Sequence, residues 1–438
     1  MSVDDTIVAP ASGAGPSAVA VIRISGPRTR AVLEALVGRV PRPRQASLRD
    51  IGSPALDRGL VLWFPGPASF TGEDMAELQV HGSRAVVQAV AEAVLAVDGT
   101  KLAEPGAFAR RAFENGKLDL TEVEGLADLI NAETEAQRRQ ALAQSEGSLR
   151  RLYEGWRAEL LKAQGLMEAG LDFADEADVA LDVGVKANAI VVPLLQSIEV
   201  HLADRSGERL RDGLRVVIAG PPNVGKSSLL NALAKRDAAI VSEEAGTTRD
   251  VIEVHLDLGG LPVILADTAG IRAGRGEVEQ EGIRRALARA EDADLVLWVI
   301  DATDPVWAPP APLAAKDVVF ALNKSDRGVP PAHINAVKNP LVLSAKTGAG
   351  LDALIGRLAD LASAESAGSG HISLTRTRHR TELVSSRDAL QRFVNHDLSP
   401  ELKAEELRIA ARHLGRLTGL IDVEEVLGAI FAEFCIGK

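Results

Sequence analysis

Leu214-Arg-Val-Val-Ile-Ala219 runs directly into Gly220-Pro-Pro-Asn-Val-Gly225-Lys226-Ser227, and this junction carries the clearest architectural signal in the sequence. The first six residues are typical of a buried strand, and the next eight match the glycine-rich phosphate loop that precedes a helix. In such loops backbone N–H groups converge on phosphate oxygens, the lysine adds a positive charge and the serine hydroxyl binds magnesium. We therefore predict a nucleotide-binding α/β domain, with a chance glycine-rich turn as the alternative.

A second motif, Asp267-Thr-Ala-Gly270, follows the apolar segment from Pro262 to Ala266. This order places a carboxylate at the carboxyl end of a strand, where parallel α/β sheets bind their ligands. We expect Asp267 to reach magnesium through a water molecule, and Gly270 to donate its N–H to a γ-phosphate and act as a hinge. An ordinary Asx turn is the alternative interpretation.

Residues 251–258 lie upstream of that motif and alternate apolar with polar side chains, and Gly259-Gly260 joins them to the next apolar segment. The pattern predicts a β-hairpin at the edge of the sheet. Before it lies Gly246-Thr-Thr-Arg-Asp250, where a threonine hydroxyl can complete a magnesium shell when the γ-phosphate is present. We expect Thr248 to be that ligand.

Two further motifs predict which base is bound. Asn323-Lys-Ser-Asp326 closes another apolar segment, and the Asp326 carboxylate can accept two hydrogen bonds from the N1–H and amino edge of guanine, which adenine lacks. Ser344-Ala-Lys346 follows the apolar residues 341–343 and can offer a backbone N–H to the guanine carbonyl oxygen. The order and spacing of all five elements argue against coincidence and predict a GTP site.

The group that positions the attacking water is less clear from the sequence. Many GTPases carry a glutamine directly after the glycine of the Asp-Thr-Ala-Gly motif, but Ile271 stands there and cannot align a water. Glu277 and Glu279 follow closely, and either can hold the water through a second one. An arginine finger cannot be assigned, because the nearby arginines are equally consistent with surface charge: Arg249, Arg272 and Arg275.

The chain has 438 residues, of which 61 are acidic and 49 basic, with a formal charge of −12. Such a length favours two or three domains, and the charge means that nucleic-acid contacts depend on local basic patches. Arg110-Arg111 and Arg376-Thr-Arg378-His-Arg380 are two such patches, although the solvated face of a linker is the favoured interpretation.

Cellular location is predicted from what the sequence lacks. The single cysteine, Cys435, cannot form an internal disulfide, which favours a reducing, cytoplasmic setting. A structural role for Cys435 is favoured over a nucleophilic one, since no neighbouring base is evident. The N-terminal residues show no signal peptide, and apolar runs fall short of the ~20 residues that span a bilayer, so no membrane association is expected.

The pattern of apolar, glycine and proline residues changes along the chain, and this predicts a multidomain protein. Residues 1–116 mix short apolar runs with glycine and proline, which indicates an α+β domain. Residues 117–210 read as helical, with Thr121 and Glu124 resembling a capping box at the start. The α/β P-loop GTPase domain, which is Ras-like, spans 211–366, residues 362–370 read as a linker, and helices return over 371–438. The GTPase domain is thus predicted to be inserted into the helical one.

With these motifs, and with Cys435-Ile-Gly-Lys438 at the end, the sequence closely resembles the MnmE (TrmE) family of bacterial tRNA-modification GTPases over essentially the whole chain. The specificity of the resemblance comes from flanking motifs that look like those of the family: Asp5-Thr-Ile-Val-Ala9, Arg23-Ile-Ser-Gly26, Phe70-Thr-Gly-Glu-Asp74, Glu77-Leu-Gln-Val-His-Gly82 and Gly116-Lys-Leu-Asp-Leu120.

The resemblance implies a homodimer built on the N-terminal domains, working with the FAD-containing flavoprotein MnmG on tRNA. The modification implied is an aminomethyl or carboxymethylaminomethyl group on carbon 5 of the wobble uridine. A tetrahydrofolate carrying a one-carbon unit is implied at Arg23, Glu77, Lys117 and Lys438. From the residues alone, a charge at Arg23 within the apolar run 18–24 needs an anionic partner, and a structural salt bridge is an equally good explanation.

The resemblance also implies potassium, coordinated by Asn223 and by the loop from Ser242 to Thr247, with Glu244 and the two loop ends among the candidate ligands. It further implies that Glu279 rather than Glu277 orients the water, which makes Glu279, Asp267 and Lys226 the catalytic set.

The GTP-binding residues expected from the motifs and the resemblance together are Asn223, Val224, Gly225, Lys226, Ser227, Ser228, Ser242, Glu243, Glu244, Ala245, Gly246, Thr247, Thr248, Asp267, Thr268, Ala269, Gly270, Asn323, Lys324, Asp326, Ser344, Ala345 and Lys346. Ser227 and Thr248 are the expected magnesium ligands. The alternative function is a GTP-switched binding protein in ribosome assembly, but no GXXG-bearing KH module is visible after the GTPase motifs.

Overall fold

In this computed structural model the described residues are 5–13, 15–172, 177–236, 238–240, 253–267, 293–334, 336–337, 339–366, 372–421, 424–432, 434 and 437. They form two compact units. The first comprises Met1–Ala127, Gln144–Leu161 and Leu407–Lys438, and the second comprises Asp128–Ala143 and Lys162–Glu406.

The first unit contains a six-stranded sheet. Its strands are β1 (Thr6–Pro10), β2 (Ser17–Ser25), β3 (Ser47–Ile51), β4 (Asp57–Phe64), β5 (Met75–Gly82) and β6 (Thr100–Leu102). Their order is β3-β4-β5-β2-β1-β6, with β1 and β6 parallel and the other neighbours antiparallel. Helices α1 (Thr29–Val37) and α2 (Arg84–Leu95) accompany the sheet, and α3 (Ala107–Glu114) follows it.

Alternation along β2 determines which face of this sheet is buried. Ile22 and Ile24 are fully buried in a cluster with side chains of α1 and α2, whereas Val21 and Arg23 between them are only partly buried. This period of two is what a half-covered strand requires. Arg23 therefore belongs to the face that the two helices leave uncovered.

Helices α4 (Leu120–Ile130), α5 (Glu135–Ser145), α6 (Ser148–Asp172), α7 (Ala177–Ala203) and α8 (Ser206–Asp212) follow in the chain. The capping box of α4 is Asp119–Glu122: Asp119 Oδ1 accepts from the Glu122 N–H at 2.8 Å, and Glu122 Oε2 accepts from the Asp119 N–H at 2.7 Å. The box predicted at Thr121 and Glu124 is therefore wrong. Both pairs have the right spacing, and only the point where the helix begins separates them.

The second unit contains a seven-stranded sheet. Its strands are β7 (Leu214–Ala219), β8 (Ala239–Ile240), β9 (Glu253–Leu258), β10 (Leu261–Asp267), β11 (Leu295–Asp301), β12 (Asp317–Asn323) and β13 (Leu341–Val342). The order is β13-β12-β11-β7-β10-β9-β8, and the five strands from β13 to β10 are parallel. The described helices of this part are α9 (Lys226–Leu233), α10 (Ala311–Ala314), α11 (Pro331–Ile334) and α12 (Leu351–Ser366), with a 3₁₀ turn at Ser325–Arg327.

The predicted hairpin is present as β9 and β10, joined by Gly259 and Gly260, whose φ angles are 69° and 90°. Two successive residues with positive φ suit the tight turn of a twisted hairpin. The prediction that this hairpin lies at the edge of the sheet is wrong, because β8 pairs with the other side of β9. A strand of two residues is too short to leave a periodic signal in the sequence.

The linker predicted at residues 362–370 is wrong in its first part. Helix α12 continues to Ser366, and Ala362 is buried in the core of the nucleotide domain. Residues 362–366 are alanine, serine and glutamate, which resemble a small, polar linker, but alanine and glutamate are also good helix formers. Helices α13 (Thr377–Asn395), α14 (Pro400–Thr418) and α15 (Glu424–Ala432) complete the described chain.

One stretch in the described part of the chain, Val183–Asp212, is long and apolar enough to cross a membrane by length and composition, with 33% of its 18-residue window buried. Most of it belongs to α7, which packs against α13 and fully buries Ala187, Val191 and Ile198. An apolar face packed on another helix is typical of a bundle. The helix therefore does not indicate a membrane protein.

Candidate functional site

The loop between β7 and α9 holds the phosphate-loop motif at the carboxyl end of the parallel strands. Gly225 has a φ of 97°, and a Cβ there would lie 2.5 Å from the Asn323 amide nitrogen. A Cβ at Gly220, whose φ is 151°, would collide with the Val299 carbonyl oxygen of β11. Glycine is thus required at both positions because the loop packs directly on neighbouring strand ends.

Lys226, the first residue of α9, folds back over this loop. Its Nζ donates to the carbonyl oxygens of Gly220 at 2.8 Å and Pro221 at 2.9 Å. The ammonium group is therefore held at the mouth of the loop, beside the N-terminus of α9, where a phosphate would meet both the charge and the helix dipole. Ser227 follows on the exposed side of the first turn of α9.

The Asn-Lys-Ser-Asp motif supports the phosphate loop from the side. The Asn323 amide donates to the Val224 carbonyl oxygen at 2.8 Å, and Lys324 Nζ donates to the Asn223 carbonyl oxygen at 2.6 Å. Both donors stand at the end of β12, about one hundred residues after their acceptors. The structure thus brings the predicted phosphate and base motifs together into one site.

Asp301 is a member of this site that sequence reasoning missed. It ends β11 and binds Lys324 Nζ at 2.7 Å through its Oδ2. Burial opposes its charge, but the Lys324 bond and two bonds from Thr303 outweigh burial and lower the pKa of Asp301 to about 2. The sequence signal that could have identified Asp301 is its position directly after the apolar residues 295–300. In the sheet it lies opposite Asn323 of β12. Its ionised carboxylate fixes Lys324 across the loop.

The base-recognition residues also converge. Ser344 Oγ donates to Asp326 Oδ1 at 2.6 Å, and this hydrogen bond is the main cause of a pKa lowered from the usual value for Asp326. The Ala345 N–H donates to Asn323 Oδ1 at 2.9 Å, and Lys346 lies close enough to stabilise the Asp326 charge. An ionised, exposed carboxylate held in place is what hydrogen-bonding to guanine requires.

Several predicted residues lie outside the described part of the chain. They are Ser242 to Thr248, Thr268 to Gly270 and Glu279, and the side chain of Asp267 is also outside it. Within the described residues, no group of three or more histidine, cysteine, aspartate or glutamate side chains is placed to hold a metal. The described candidates Ser227 and Asn223 supply hydroxyl, amide and carbonyl oxygens, which are the donors that magnesium and potassium prefer.

Arg23 and Glu77 face each other on β2 and β5 in the first unit. Arg23 Nη2 lies 3.0 Å from Glu77 Oε1, and both side chains are about four-fifths buried, with 19% and 20% exposed. The guanidinium also lies 5.8 Å from the ring centre of Phe70 and 5.9 Å from that of Phe108. Arg23 therefore has the structural salt bridge that was one of the two explanations, in a pocket with the partly buried Phe70 ring beside it and the fully buried Phe108 ring behind it.

The C-terminal motif reaches the same pocket. Arg23 Nη1 donates to the Gly437 carbonyl oxygen at 3.5 Å, across 414 positions of sequence. Lys117 donates to the Pro67 carbonyl oxygen at 3.0 Å, in the loop before β5 that also carries Phe70. Three of the four predicted folate residues are thus associated with one region, and Lys438 lies outside the described residues.

Each basic patch singled out in the sequence contains a buried arginine, although Arg110 is exposed on α3. Arg111 is buried, and its guanidinium pairs with Glu73 at 2.7 Å and donates to the Asp5 carbonyl oxygen at 2.7 Å. Arg376 is 8% exposed and pairs with Asp128 at 2.8 Å. The charges of Arg111 and Arg376 are neutralised by carboxylates from distant segments, and such pairs cannot be predicted from the neighbouring residues in the sequence.

Arg380 has the same kind of role as Arg376. It pairs with Glu208 at 2.8 Å and donates to the backbone of Asp204 at 2.9 Å. These contacts link the start of α13 to the segment before β7 within the second unit. The arginines near residue 376 therefore hold the chain where it leaves the nucleotide domain.

A phosphate loop joined to an Asn-Lys-Ser-Asp loop at the carboxyl ends of parallel strands defines the class of P-loop GTPases. A family model described as the MnmE helical domain matches residues 120–435, and one described as the GTP-binding protein TrmE N-terminus matches residues 6–117. The chain belongs to the MnmE (TrmE) family of tRNA modification GTPases. The predicted family, the predicted combination of folds and the predicted GTPase class are confirmed.

Three relatives, each named tRNA modification GTPase MnmE, match nearly from end to end. The one from Beijerinckia indica subsp. indica is 52% identical over 99% of this chain and 96% of its own. That from Parvibaculum lavamentivorans is 52% identical over 99% and 100%, and that from Paramagnetospirillum magneticum is 53% identical over 100% of both. The solved G domain of the T. maritima FeoB iron transporter is 26% identical over 34% of this chain and 97% of its own, but a TM-score of 0.25 supports no argument.

Proposed function

We propose that this GTPase acts in potassium-dependent fashion and, with the flavoprotein MnmG, adds an aminomethyl or carboxymethylaminomethyl group to carbon 5 of the tRNA wobble uridine. The proposed binding and hydrolysis of GTP rests on the hydrogen bonds from Asn323 and Lys324 to the phosphate loop. The tRNA half rests on the relatives, which bear the name tRNA modification GTPase over the full length of this chain.

In the proposed hydrolysis Lys226 binds the terminal phosphates and Glu279 orients the attacking water. Ser227, Thr248 and Asp267 would hold magnesium, and Asn223, Ser242, Glu244 and Thr247 would supply oxygens to potassium. When bound, the two ions supply positive charge that stabilises the charge developing on the transferred phosphoryl group. The ordered Lys226 ammonium, held by two loop carbonyls, is the described contribution of this chain to that stabilisation.

The proposed substrate site for a one-carbon-substituted tetrahydrofolate is the pocket of Arg23, Glu77, Lys117 and Lys438. The partly buried ring of Phe70 suits a flat heteroaromatic group, and the Arg23–Glu77 pair offers a donor and an acceptor side by side. FAD belongs to the partner protein. The proposal extends to a homodimer in the cytoplasm, and to a GTPase domain over residues 211–366 inserted between helical parts at 117–210 and 371–438, after an N-terminal domain at 1–116.

The test is mass spectrometry of tRNA nucleosides from cells that lack this protein. We expect loss of the carbon-5 wobble adduct, restored by the wild-type gene and not by the Asp267→Ala variant. An unchanged nucleoside profile would reject the modification role and favour a GTP-switched role in ribosome assembly.

The ion requirement is tested separately by the rate of GTP hydrolysis in potassium and in sodium at equal ionic strength. A clearly faster rate in potassium is expected, because an ion at the phosphates replaces the arginine finger that cannot be assigned in this sequence. Equal rates in both salts would reject the potassium site and leave the rest of the proposal intact.

A further inference from the structure

Arginines are concentrated in one segment of the first unit. Between residues 27 and 64 the sequence has seven arginines, three acidic residues and no lysine, in a chain whose formal charge is −12. Six of them form what we call the arginine edge: Arg30, Arg39, Arg42, Arg44, Arg49 and Arg58. Arg28 is not included, because its N–H donates to Thr6 of β1 and its side chain lies beside Gly99, next to the opposite outer strand β6. All six arginines of the edge are exposed, which sets them apart from the buried Arg111 and Arg376.

The topology places these side chains along one margin of the sheet. β3 is the outermost strand, and its register sets Arg49 opposite Gly59 and Asp50 opposite Arg58 on β4. The loop before β3 is tied to the same strand, because the Arg44 N–H donates to the Trp63 carbonyl oxygen at 2.9 Å. The arginines of α1, of this loop and of β3 and β4 therefore gather at one end of the sheet.

Two of the guanidinium groups lie against aromatic rings of β4. Arg30 lies 5.9 Å from the ring centre of Trp63, and Arg44 lies 5.7 Å from that of Phe64. Such contacts restrain the side chain and leave N–H donors of the guanidinium available. Pro41 and Pro43 flank Arg42 and restrict the backbone on both sides of it. The side chains of Arg30 and Arg44 and the backbone at Arg42 are thus restrained before any partner binds.

Charge on the arginine edge is only partly compensated. Arg30 pairs with Glu34 at 3.1 Å, and Arg58 lies 3.7 Å from Asp50. Among the described residues, no carboxylate forms an ion pair with Arg39, Arg42 or Arg49. Exposed guanidinium groups without a carboxylate partner suit phosphate groups, which guanidinium binds in bidentate fashion.

We propose that the arginine edge binds the sugar-phosphate backbone of tRNA. This inference rests on the proposed function, which makes tRNA the substrate of a strongly acidic protein that must otherwise repel it. Proteins recognise folded RNA largely through its phosphates and shape, and an exposed, partly restrained margin whose basic residues are all arginines fits that mode. A flexible lysine-rich tail, the usual form of a membrane-surface contact, is absent from this described segment.

A simpler role for charge on an outer strand is to block pairing between sheet edges. That role predicts that neutral variants aggregate while tRNA binding stays the same. The two roles are therefore separable in one experiment that measures both binding and association.

The test uses the full chain with a fluorescein-labelled transcribed tRNA and fluorescence anisotropy at several salt concentrations. The variant Arg39→Gln, Arg42→Gln, Arg49→Gln removes three charges from the edge. Its control, Arg84→Gln, Arg205→Gln, Arg357→Gln, removes three charges from exposed sites elsewhere that, among the described residues, also form no ion pair. Neither set includes a residue of the nucleotide site, so GTP hydrolysis in the absence of tRNA should match wild type in both and report correct folding.

We expect the edge variant to bind tRNA about tenfold to a hundredfold more weakly at 0.1 M salt, since each lost phosphate contact lowers the salt-dependence slope by about 0.7 to 0.9. The control should retain wild-type affinity and slope. Equal affinity and slope for the edge variant and wild type would overturn the inference while leaving the proposed function in place.

Other results would also overturn it. A changed oligomeric state of the edge variant on gel filtration would assign the surface to contacts between copies of this chain. Loss of binding to phosphatidylserine vesicles, with tRNA binding unchanged, would assign it to a membrane. If wild type itself neither binds tRNA nor restores the wobble adduct in cells, the proposed function fails first, and that pattern differs from all the others.

Discussion

The nucleotide site and the N-terminal pocket are built in opposite ways. In the nucleotide site, residues 220–227 form a contiguous loop whose shape comes from its own glycines, and one neighbouring loop at Asn323 to Asp326 braces it. In the N-terminal pocket the critical groups come singly from distant places: Arg23, Glu77, and a carbonyl oxygen at Gly437.

This difference shows which kind of site can be predicted from the sequence. A phosphate is bound by backbone N–H groups in a fixed local geometry, so the chemistry requires a particular run of residue types. A pocket of single side chains requires only that the fold deliver them, and each side chain by itself looks like an ordinary surface or core residue. Substitutions should therefore act locally and strongly in the first site, and from a distance in the second.

The largest effect is expected at Asp326 in the nucleotide site. Asp326→Asn replaces the ionised acceptor for the guanine edge with a group that can also donate, so GTP affinity should fall about 10- to 100-fold, the usual worth of a lost hydrogen bond to a charged group. Affinity for xanthosine triphosphate, which offers an oxygen in place of the amino group, should rise.

Titration calorimetry with both nucleotides measures this, and the control is Asp352→Asn, an exposed carboxylate of the same domain that pairs with Arg236. Unchanged GTP affinity in Asp326→Asn would remove the assignment of the base site.

An intermediate effect is expected from Gly437→Ala, which tests whether the pocket depends on the far end of the chain. Gly437 has a φ of 101°, and a Cβ there would collide with the Pro10 carbonyl oxygen. The terminal segment must then move away from Arg23, so binding of a one-carbon-substituted tetrahydrofolate should weaken about tenfold, on the scale of one lost hydrogen bond.

GTP hydrolysis should be unaffected by this change. Gly428→Ala serves as the control, since a Cβ at that helical position meets nothing within 4 Å. Wild-type folate binding in Gly437→Ala would mean that the terminal segment is not part of the pocket.

The third change, at Asp119 two residues after Lys117, affects the free energy of unfolding rather than ligand binding, and it appears as a dependence on pH. Burial raises the pKa of Asp119 to about 6 from its ordinary 3.8, despite the hydrogen bonds from Glu122 and Thr121. The folded chain therefore holds a proton that the unfolded chain has lost between about pH 4 and pH 6, and stability falls as pH rises through that window.

Asp119→Asn keeps a capping oxygen without the charge. At pH 7 it should be more stable than wild type by about 1–3 kcal/mol, and near pH 4 the two should be similar. Urea denaturation at both pH values checks this. A constant difference between the two proteins at all pH values would mean that Asp119 does not titrate in this window.

Prediction from the sequence succeeded where the local pattern is dictated by chemistry or by a strict period. The phosphate loop, the strand before it and the turn of the Gly259-Gly260 hairpin were predicted correctly, because glycine and alternating residues have few other uses there, although the hairpin is not at the sheet edge. Errors occurred where one composition serves two structures. Residues 362–366 are helical although they resemble a linker, and the capping box belongs to Asp119 although Thr121 has the same spacing.

The pattern of charges was not predictable in the same way. Arg23, Arg111 and Arg376 are each paired with a carboxylate from a distant segment, whereas Arg39 and Arg42 are left exposed. The apolar run around Arg23 indicated that its charge needs a partner, but the residues around the other four gave no such signal. The sequence alone was enough to define the GTP site, since its geometry is encoded in consecutive backbone positions. Only the tertiary structure showed which charged groups face one another, because an ion pair depends on distances in space that the order of residues does not contain.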